Sequence, residues 1–166
     1  MKKGIILGVS IFLFCACVTS NVVKTDKNAI RKEVNTLLDT WHKAASDANF
    51  KEYFGVLDST SVYIGTAAEE IWTKEQFANF SKPYFDKGKA WDFKASNRIW
   101  SFSKNGKIAW FDEDLATWMR GCRGSGILIK KRGEWKIAYY NLTVLIENEK
   151  MDSFIELRDQ PIEAED

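Results

Sequence analysis

The stretch that decides the fold is Ile108–Thr143, which contains the run Ala109-Trp110-Phe111-Asp112-Glu113-Asp114-Leu115-Ala116-Thr117-Trp118. Three carboxylates stand here in the middle of an aromatic and apolar run. Two further runs rich in aromatic and aliphatic residues follow, at 124–130 and 135–144. Such runs favour strands. The stretch therefore predicts three consecutive strands, with charged groups embedded in an aromatic surface.

The segments before this stretch predict helices and one more long strand. Apolar residues recur at helical spacing in the first segment, and Thr73 with Gln76 forms a capping-box pattern that begins a later helix. The predicted elements are two helices at 26–48 and 49–57, a short strand at 61–64, a third helix that begins at Thr73 and that Pro83 either ends or kinks, and a long strand at 91–102. Helices followed by long antiparallel strands predict an α+β fold, in which a curved, antiparallel-rich sheet wraps around the N-terminal helices.

Composition limits the classes of function. The chain has 166 residues, 45% hydrophobic and 14% aromatic, which suits one domain with a large core. A net charge of +1, with basic residues scattered along the sequence, argues against nucleic-acid binding, and Lys130-Lys131-Arg132 is interpreted as a solvated turn. The one histidine, His42, has no Cys or His neighbour and is interpreted as a boundary residue of the first helix. Neither a metal site nor a cofactor is predicted.

The N-terminus predicts export. A short positive region precedes an apolar stretch, and Leu13-Phe14-Cys15-Ala16-Cys17 resembles a bacterial lipoprotein box. We expect a signal peptide at 1–16, lipidation of Cys17, a tether at 17–25, a domain at 26–146 and an acidic tail at 147–166. The alternative is an ordinary secretory signal that ends near Ala16. The predicted location is the periplasm or the outer surface of a bacterial cell, with membrane attachment through the lipid anchor only.

Several motifs resemble the SnoaL-like branch of the nuclear-transport-factor-2-like superfamily, and they occur in that family's order. They are Tyr63-Ile64-Gly65-Thr66, Glu70-Ile71-Trp72-Thr73, Lys87-Gly88-Lys89-Ala90-Trp91-Asp92-Phe93, Ala109-Trp110-Phe111-Asp112-Glu113, Arg123-Gly124-Ser125-Gly126 and Trp135-Lys136-Ile137-Ala138. The resemblance implies a cone with an internal pocket and a homodimer formed through the outer face of the sheet. It fixes no reaction, because members of the superfamily differ in activity. Relatives in this branch often carry His in the last strand, where this chain has Tyr139.

The candidate site follows from strand alternation. Asp112 and Asp114 share a face with Trp110, while Glu113 lies on the opposite face, so one carboxylate points inward whichever face is inside. The first hypothesis is a pocket for a small, largely apolar ligand. It is lined by Trp72, Trp110, Trp118, Arg123, Ile137 and Asn141.

Two other functions remain open. One is an enzyme of the cyclase, isomerase or lyase type, with Asp112 and Tyr139 as catalytic acid–base pair. The other is a dimeric interaction module whose cone is filled by its own side chains. A structural interpretation of the carboxylates is an internal ion pair of Asp112 or Glu113 with Arg123 or Arg98. In that case the charges stabilise the sheet.

Overall fold

The computed structural model describes residues 26–161, so the predicted signal peptide, Cys17, the whole of the tether and the last five residues lie outside the described part. Within residues 26–161 the elements are four α-helices, six strands and one 3-10 turn. In chain order they are α1 Lys27–Ser46, α2 Phe50–Val56, β1 Leu57–Ile64, β2 Ile71–Thr73, α3 Lys74–Asp86, β3 Lys94–Phe102, β4 Ile108–Thr117, β5 Arg120–Lys131, β6 Glu134–Val144, the 3-10 turn Asn148–Lys150 and α4 Met151–Arg158.

The strands form one curved sheet in the order β2-β1-β6-β5-β4-β3. All neighbours are antiparallel except β1 and β6, which are parallel. Helices α1 to α3 cover the concave face. This confirms the predicted α+β fold class, with a curved, antiparallel-rich sheet around the N-terminal helices. None of the helices in the described range is long and apolar enough to span a membrane.

Local sequence signals account for the helix and hairpin ends. The Asp26 carboxylate accepts hydrogen bonds from the N–H groups of Asn28 and Ala29 and caps α1. The capping box of Thr73 and Gln76 is present at the start of α3. Pro83 does not end α3, which continues to Asp86. Arg132 and Gly133 both have positive φ, as a two-residue hairpin turn requires.

β-Bulges in β3 and β6 interrupt the alternation of side chains along these two strands. In β3 one extra residue lies between the pairs Ser96↔Asp114 and Ile99↔Asp112, where Asn97 has a φ of 48°. In β6 the extra residue is Ala138, between Ile137 and Tyr139. Because a bulge shifts the phase by one residue, Arg98 and Tyr140 turn toward the concave face. Simple alternation would have turned Asn97 and Tyr139 there.

The inside of the cone is packed with aromatic rings. Tyr63 stacks on Phe77 with 3.8 Å between ring centroids, and Trp41 contacts Tyr53 and Tyr140 at 4.9 and 4.8 Å. These five side chains are at most 5% exposed. The apolar residues of α1 that face this layer are Ile30, Val34, Leu38 and Ala45. Helix α4 lies in the acidic tail, and Ile155 and Leu157 are exposed on it.

Candidate functional site

Glu113 is the carboxylate of β4 that enters the cone. It is 1% exposed, between the inward-facing Phe111 and Leu115, whereas Asp112 is exposed on the outer face. An isolated carboxylate is costly to bury, so its partners decide what it does there. Those partners come from α1, β3 and β6.

Three donors converge on the two oxygens of Glu113. His42 Nε2 lies 2.7 Å from Oε1, and the Tyr140 hydroxyl donates to the same oxygen at 3.2 Å. The Arg98 guanidinium donates to Oε2 through two nitrogens, each at 2.8 Å. The paired arrangement of charges is what a buried carboxylate needs in order to remain ionised. We call these four residues the Glu113 network.

The network is tied to the middle of α1 by a second layer of polar contacts. Arg98 Nη1 donates to Asn35 Oδ1 and to Asp39 Oδ1, each at 3.0 Å. Trp100 Nε1 donates to the same Asn35 oxygen at 2.8 Å. Asn35, Asp39 and His42 lie three and four residues apart, so they occupy one face of α1. That face fixes the orientation of Arg98 against Glu113.

The pKa values follow from this arrangement. Burial of Glu113 raises the pKa of its carboxyl, but the hydrogen bond and charge of His42 and the charge of Arg98 outweigh burial and hold that pKa below its ordinary value of 4.5. Burial, followed by the negative charge of Glu113, raises the pKa of Tyr140 well above its ordinary value. At neutral pH Glu113 is therefore a carboxylate, and Tyr140 is a neutral phenol that donates to it.

Gly124 leaves the room that this contact needs. It pairs with Glu113 across β4 and β5. A Cβ at this position would lie 2.2 Å from the Tyr140 hydroxyl and 3.0 Å from Glu113 Oε1. Only glycine fits where the two side chains meet.

A cleft opens beside His42, between α1 and the beginning of β3. Its volume is about 360 Å³, and it is lined by Asp39, His42, Lys43, Ser46, Asp92, Phe93, Lys94 and Ala95. His42 is 8% exposed and is the one lining residue that also touches Glu113. Its other ring nitrogen, Nδ1, has no hydrogen-bond partner within residues 26–161. The cleft and the Glu113 network thus share one imidazole.

The candidate acid–base pair lies elsewhere. Asp112 accepts a hydrogen bond from the Ser125 hydroxyl on the outer face, and Tyr139 follows the bulge on that same face. Neither side chain enters the cone, so the two do not meet a molecule bound inside it. One of the ion pairs considered from the sequence is present, between Glu113 and Arg98. Arg123 instead lies 4.0 Å from Asp114.

The predicted ligand contacts divide between the two faces. Trp72 and Ile137 lie inside, in the aromatic layer and the core. Four others do not line the interior of the cone. Trp110, Arg123 and Asn141 are on outward-facing positions of the sheet, and Trp118 is 82% exposed in the turn after β4. The interior therefore brings together only two of the six.

The sequence interpretation missed His42 and Tyr140 as members of the site. His42 follows Leu38 by four residues on the buried stripe of α1, and this spacing was the available signal. No sequence signal indicated Tyr140, because only the bulge at Ala138 turns its side chain inward. Cys122 is a buried residue of β5. Within the described range no three His, Cys, Asp or Glu side chains are placed to hold a metal ion.

Comparison with known proteins agrees with this architecture. The SnoaL-like domain family matches residues 34–147. A comparison with curated proteins finds no match to the sequence. An NTF2-like protein of unknown function from Pseudomonas putida KT2440 superposes with a TM-score of 0.63 at 11% identity, covering 76% of this chain and 94% of its own.

Two further solved structures share the fold. A protein of unknown function with a cystatin-like fold from Nostoc punctiforme PCC 73102 has a TM-score of 0.55 at 14% identity, with 69% and 90% of the two chains covered. A proposed scytalone dehydratase from Novosphingobium aromaticivorans DSM 12444 has a TM-score of 0.62 at 10% identity, with 72% and 87% covered. At these identities the structures support the fold alone. The chain belongs to the SnoaL-like family and has its NTF2-like, cystatin-like cone fold.

Proposed function

We propose that the cleft between α1 and β3 binds a small polar molecule, with His42 as the group that recognises it. The observation that carries the proposal is the shared position of His42, which borders the cleft and is bonded to Glu113 at 2.7 Å. A ring held by a buried carboxylate is fixed in orientation, as a binding or catalytic histidine must be.

The lining of the cleft favours a polar ligand over the largely apolar one expected from the sequence. Lys43, Lys94 and Asp92 are exposed there and paired with neighbours, Lys43 with Asp47 at 2.6 Å and Lys94 with Asp92 at 2.7 Å. Exposed pairs contribute little to stability, so they can exchange partners with a ligand at small cost. The inside of the cone, in contrast, is occupied by stacked rings. A volume of about 360 Å³ suits a small molecule.

An acid–base enzyme is the second candidate function. In this case His42 would be the base, Glu113 would orient it and stabilise its protonated form, and Tyr140 would hold the Glu113 oxygen in place. The favouring observation is that the one ring nitrogen of His42 not facing Glu113 has no hydrogen-bond partner in residues 26–161. In this proposal His42 and Glu113 have the catalytic role that the sequence hypothesis gave to Asp112 and Tyr139. An isomerase, cyclase or lyase reaction needs one such base at the substrate.

Since the chain has a single histidine, its imidazole proton resonance gives an unambiguous test. Compounds that raise the thermal stability of the untagged protein would be titrated while this resonance is recorded. We expect a genuine ligand to shift it, and His42→Gln and Lys94→Ala each to weaken binding at least tenfold. The cleft site is wrong if both variants, shown to be folded by circular dichroism, bind the same compound with unchanged affinity.

The two candidate functions differ in kinetics. If the bound compound is turned over, His42→Gln should abolish kcat, whereas Lys94→Ala should raise KM and leave kcat nearly unchanged. Lys94 is the suitable control because its side chain is 72% exposed and lies outside the Glu113 network. Binding without turnover in the unmodified protein would support the binding function over the enzyme.

We also infer a homodimer through the outer face of the sheet. Trp110 pairs with Ile127, and Ile127 with Tyr139, so these three side chains form a row across β4, β5 and β6. Trp110 is 46% and Ile127 39% exposed, and Ile99 nearby is 71% exposed. An apolar row of this kind supports an interface. In sedimentation experiments Trp110→Glu with Ile127→Glu should give a monomer, while the distant Lys89→Glu should not change the mass of the dimer.

Attachment to a membrane through Cys17 is proposed on the sequence alone, because this residue precedes the described range. The support is the apolar leader and the lipoprotein-like box that ends at Cys17. Cell fractionation in a bacterial host tests it. Cys17→Ser should move the protein from the membrane to the soluble fraction and Cys15→Ser should not. The proposal fails if Cys17→Ser leaves the membrane fraction unchanged.

A further inference from the structure

Basic side chains that are scattered in the sequence meet at one edge of the folded domain. Glu33 near the start of α1 accepts hydrogen bonds from Lys130 and from Trp135 Nε1, both at 2.9 Å, and the Lys130 N–H donates to Lys107 O at 2.8 Å. These contacts join the beginning of α1 to the turns β3–β4 and β5–β6. The basic residues on the three segments are Lys27, Arg31, Lys32, Lys104, Lys107, Lys130, Lys131 and Arg132, and we call them the basic edge.

The charges of the basic edge are mostly uncompensated. Lys130 pairs with Glu33, and Lys131 pairs with Asp58 at 2.7 Å. The other six have no carboxylate within 4.0 Å among residues 26–161, and all six are exposed. The acidic side chains nearby are Asp26, Glu33, Asp58 and Glu134. Other carboxylates, such as Asp112 and Asp114, are on the outer face of the sheet, and more follow in the segment 147–159.

We propose that the basic edge binds the surface of a membrane that contains anionic phospholipids. The six unpaired cations do not surround one pocket, but are spread over the beginning of α1 and two turns. This distribution fits a broad layer of negative headgroups better than a single bound anion. Long exposed lysine and arginine side chains also adapt to a surface that has no fixed positions of charge.

The path of the chain supports this occupant. Helix α1 begins at the basic edge, so the described part of the chain starts on that side of the domain. Whether or not Cys17 is lipidated, the proposal concerns the domain itself. If Cys17 is anchored, the eight residues from Val18 to Thr25 span at most about 29 Å, which would keep the edge close to the bilayer.

Vesicle co-sedimentation of the chain from Val18 onward tests the proposal. This form keeps every residue of the hydrophobic core and lacks Cys17, so the outcome is independent of anchoring. Phosphatidylcholine vesicles with and without phosphatidylglycerol would be compared at low and high salt. We expect binding to the anionic vesicles only, and its loss in high salt, because the Debye length falls from about 10 Å at 0.1 M to about 3 Å at 1 M.

Two variants of equal net charge identify the surface. The triple change Lys32→Glu, Lys104→Glu and Lys107→Glu takes residues from two segments of the basic edge, and we expect it to weaken binding at least tenfold. The matched control Lys51→Glu, Lys87→Glu and Lys89→Glu reverses three exposed lysines on α2 and after α3, and should bind like the original chain.

Three results would overturn the proposal. The first is that the chain binds anionic vesicles no better than neutral ones. The second is that the two triple variants weaken vesicle binding equally. The third is that the chain binds heparin but neither kind of vesicle. The last result would identify the edge as a site for a soluble polyanion. Circular dichroism of both variants distinguishes lost binding from lost folding.

Discussion

His42 Nε2 and Glu113 Oε1 lie 2.7 Å apart, although 71 positions separate the two residues in the sequence. The contact joins α1 to the middle of β4 inside the cone, with both side chains at most 8% exposed. Arg98 from β3 and Tyr140 from β6 bond to the same carboxylate. Glu113 therefore connects one helix to three strands, and its charge has consequences for stability as well as for any ligand.

Replacement of Glu113 by Gln should strongly destabilise the protein. The change keeps the size of the side chain but removes the charge opposite Arg98, whose side chain is only 10% exposed. Loss of one partner from a buried ion pair costs about 3 kcal/mol or more. Urea unfolding measures this change in the free energy of unfolding. The neighbouring Asp112→Asn is the control and should stay within about 0.5 kcal/mol of the original chain, because Asp112 is exposed. Equal effects would contradict the assignment of inner and outer faces.

Acid should weaken the fold through the same group. The pKa of Glu113 is lower in the folded protein than its ordinary value of 4.5, so the unfolded chain takes up a proton more readily. The stabilisation is present above that ordinary pKa and is lost as the pH falls through the folded pKa. Asp58 adds to the effect, because the hydrogen bonds from Lys131 and Thr60 lower its pKa to about 2.

The measurement is the free energy of unfolding at a series of pH values below 6. We expect a steady decrease for the original chain and a smaller decrease for Asp58→Asn, which removes one of the two groups. The Glu113→Gln variant, although less stable throughout, should also show a smaller dependence on pH. A decrease of equal size in all three proteins would mean that other carboxyl groups determine the acid sensitivity.

The sequence predicted the fold but only part of the site, and the bulges explain the difference. Apolar periodicity and the capping box at Thr73 each depend on a few neighbouring residues, and the structure confirms the helices that they predict. Alternation along β4 likewise predicted that Glu113 faces opposite to Asp112. Which face is inside depends on packing against α1, which no local pattern contains. The bulges at Asn97 and Ala138 then turned Arg98 and Tyr140 inward and left Tyr139 outside.

The bulge in β6 leads to a prediction about two adjacent tyrosines. Tyr140→Phe removes a buried hydroxyl that donates to Glu113, so it should cost about 1 kcal/mol. Tyr139→Phe removes a hydroxyl on the outer face and should cost almost nothing, because its ring is retained and no buried polar group loses a partner. Urea unfolding of the two variants at the same protein concentration tests this. The reverse order of stabilities would place Tyr139 in the cone and contradict the bulge.

Gly124 should tolerate a methyl group better when the hydroxyl of Tyr140 is absent. In Gly124→Ala the new Cβ would lie 2.2 Å from the Tyr140 hydroxyl, so we expect a loss of about 1 to 3 kcal/mol. Gly121→Ala on the same strand is the control, because a Cβ there has no neighbour within 4 Å. In a double-mutant cycle, the cost of Gly124→Ala should fall by at least about 0.5 kcal/mol in the Tyr140→Phe background. Additive effects would show that the hydroxyl is not what the methyl group displaces.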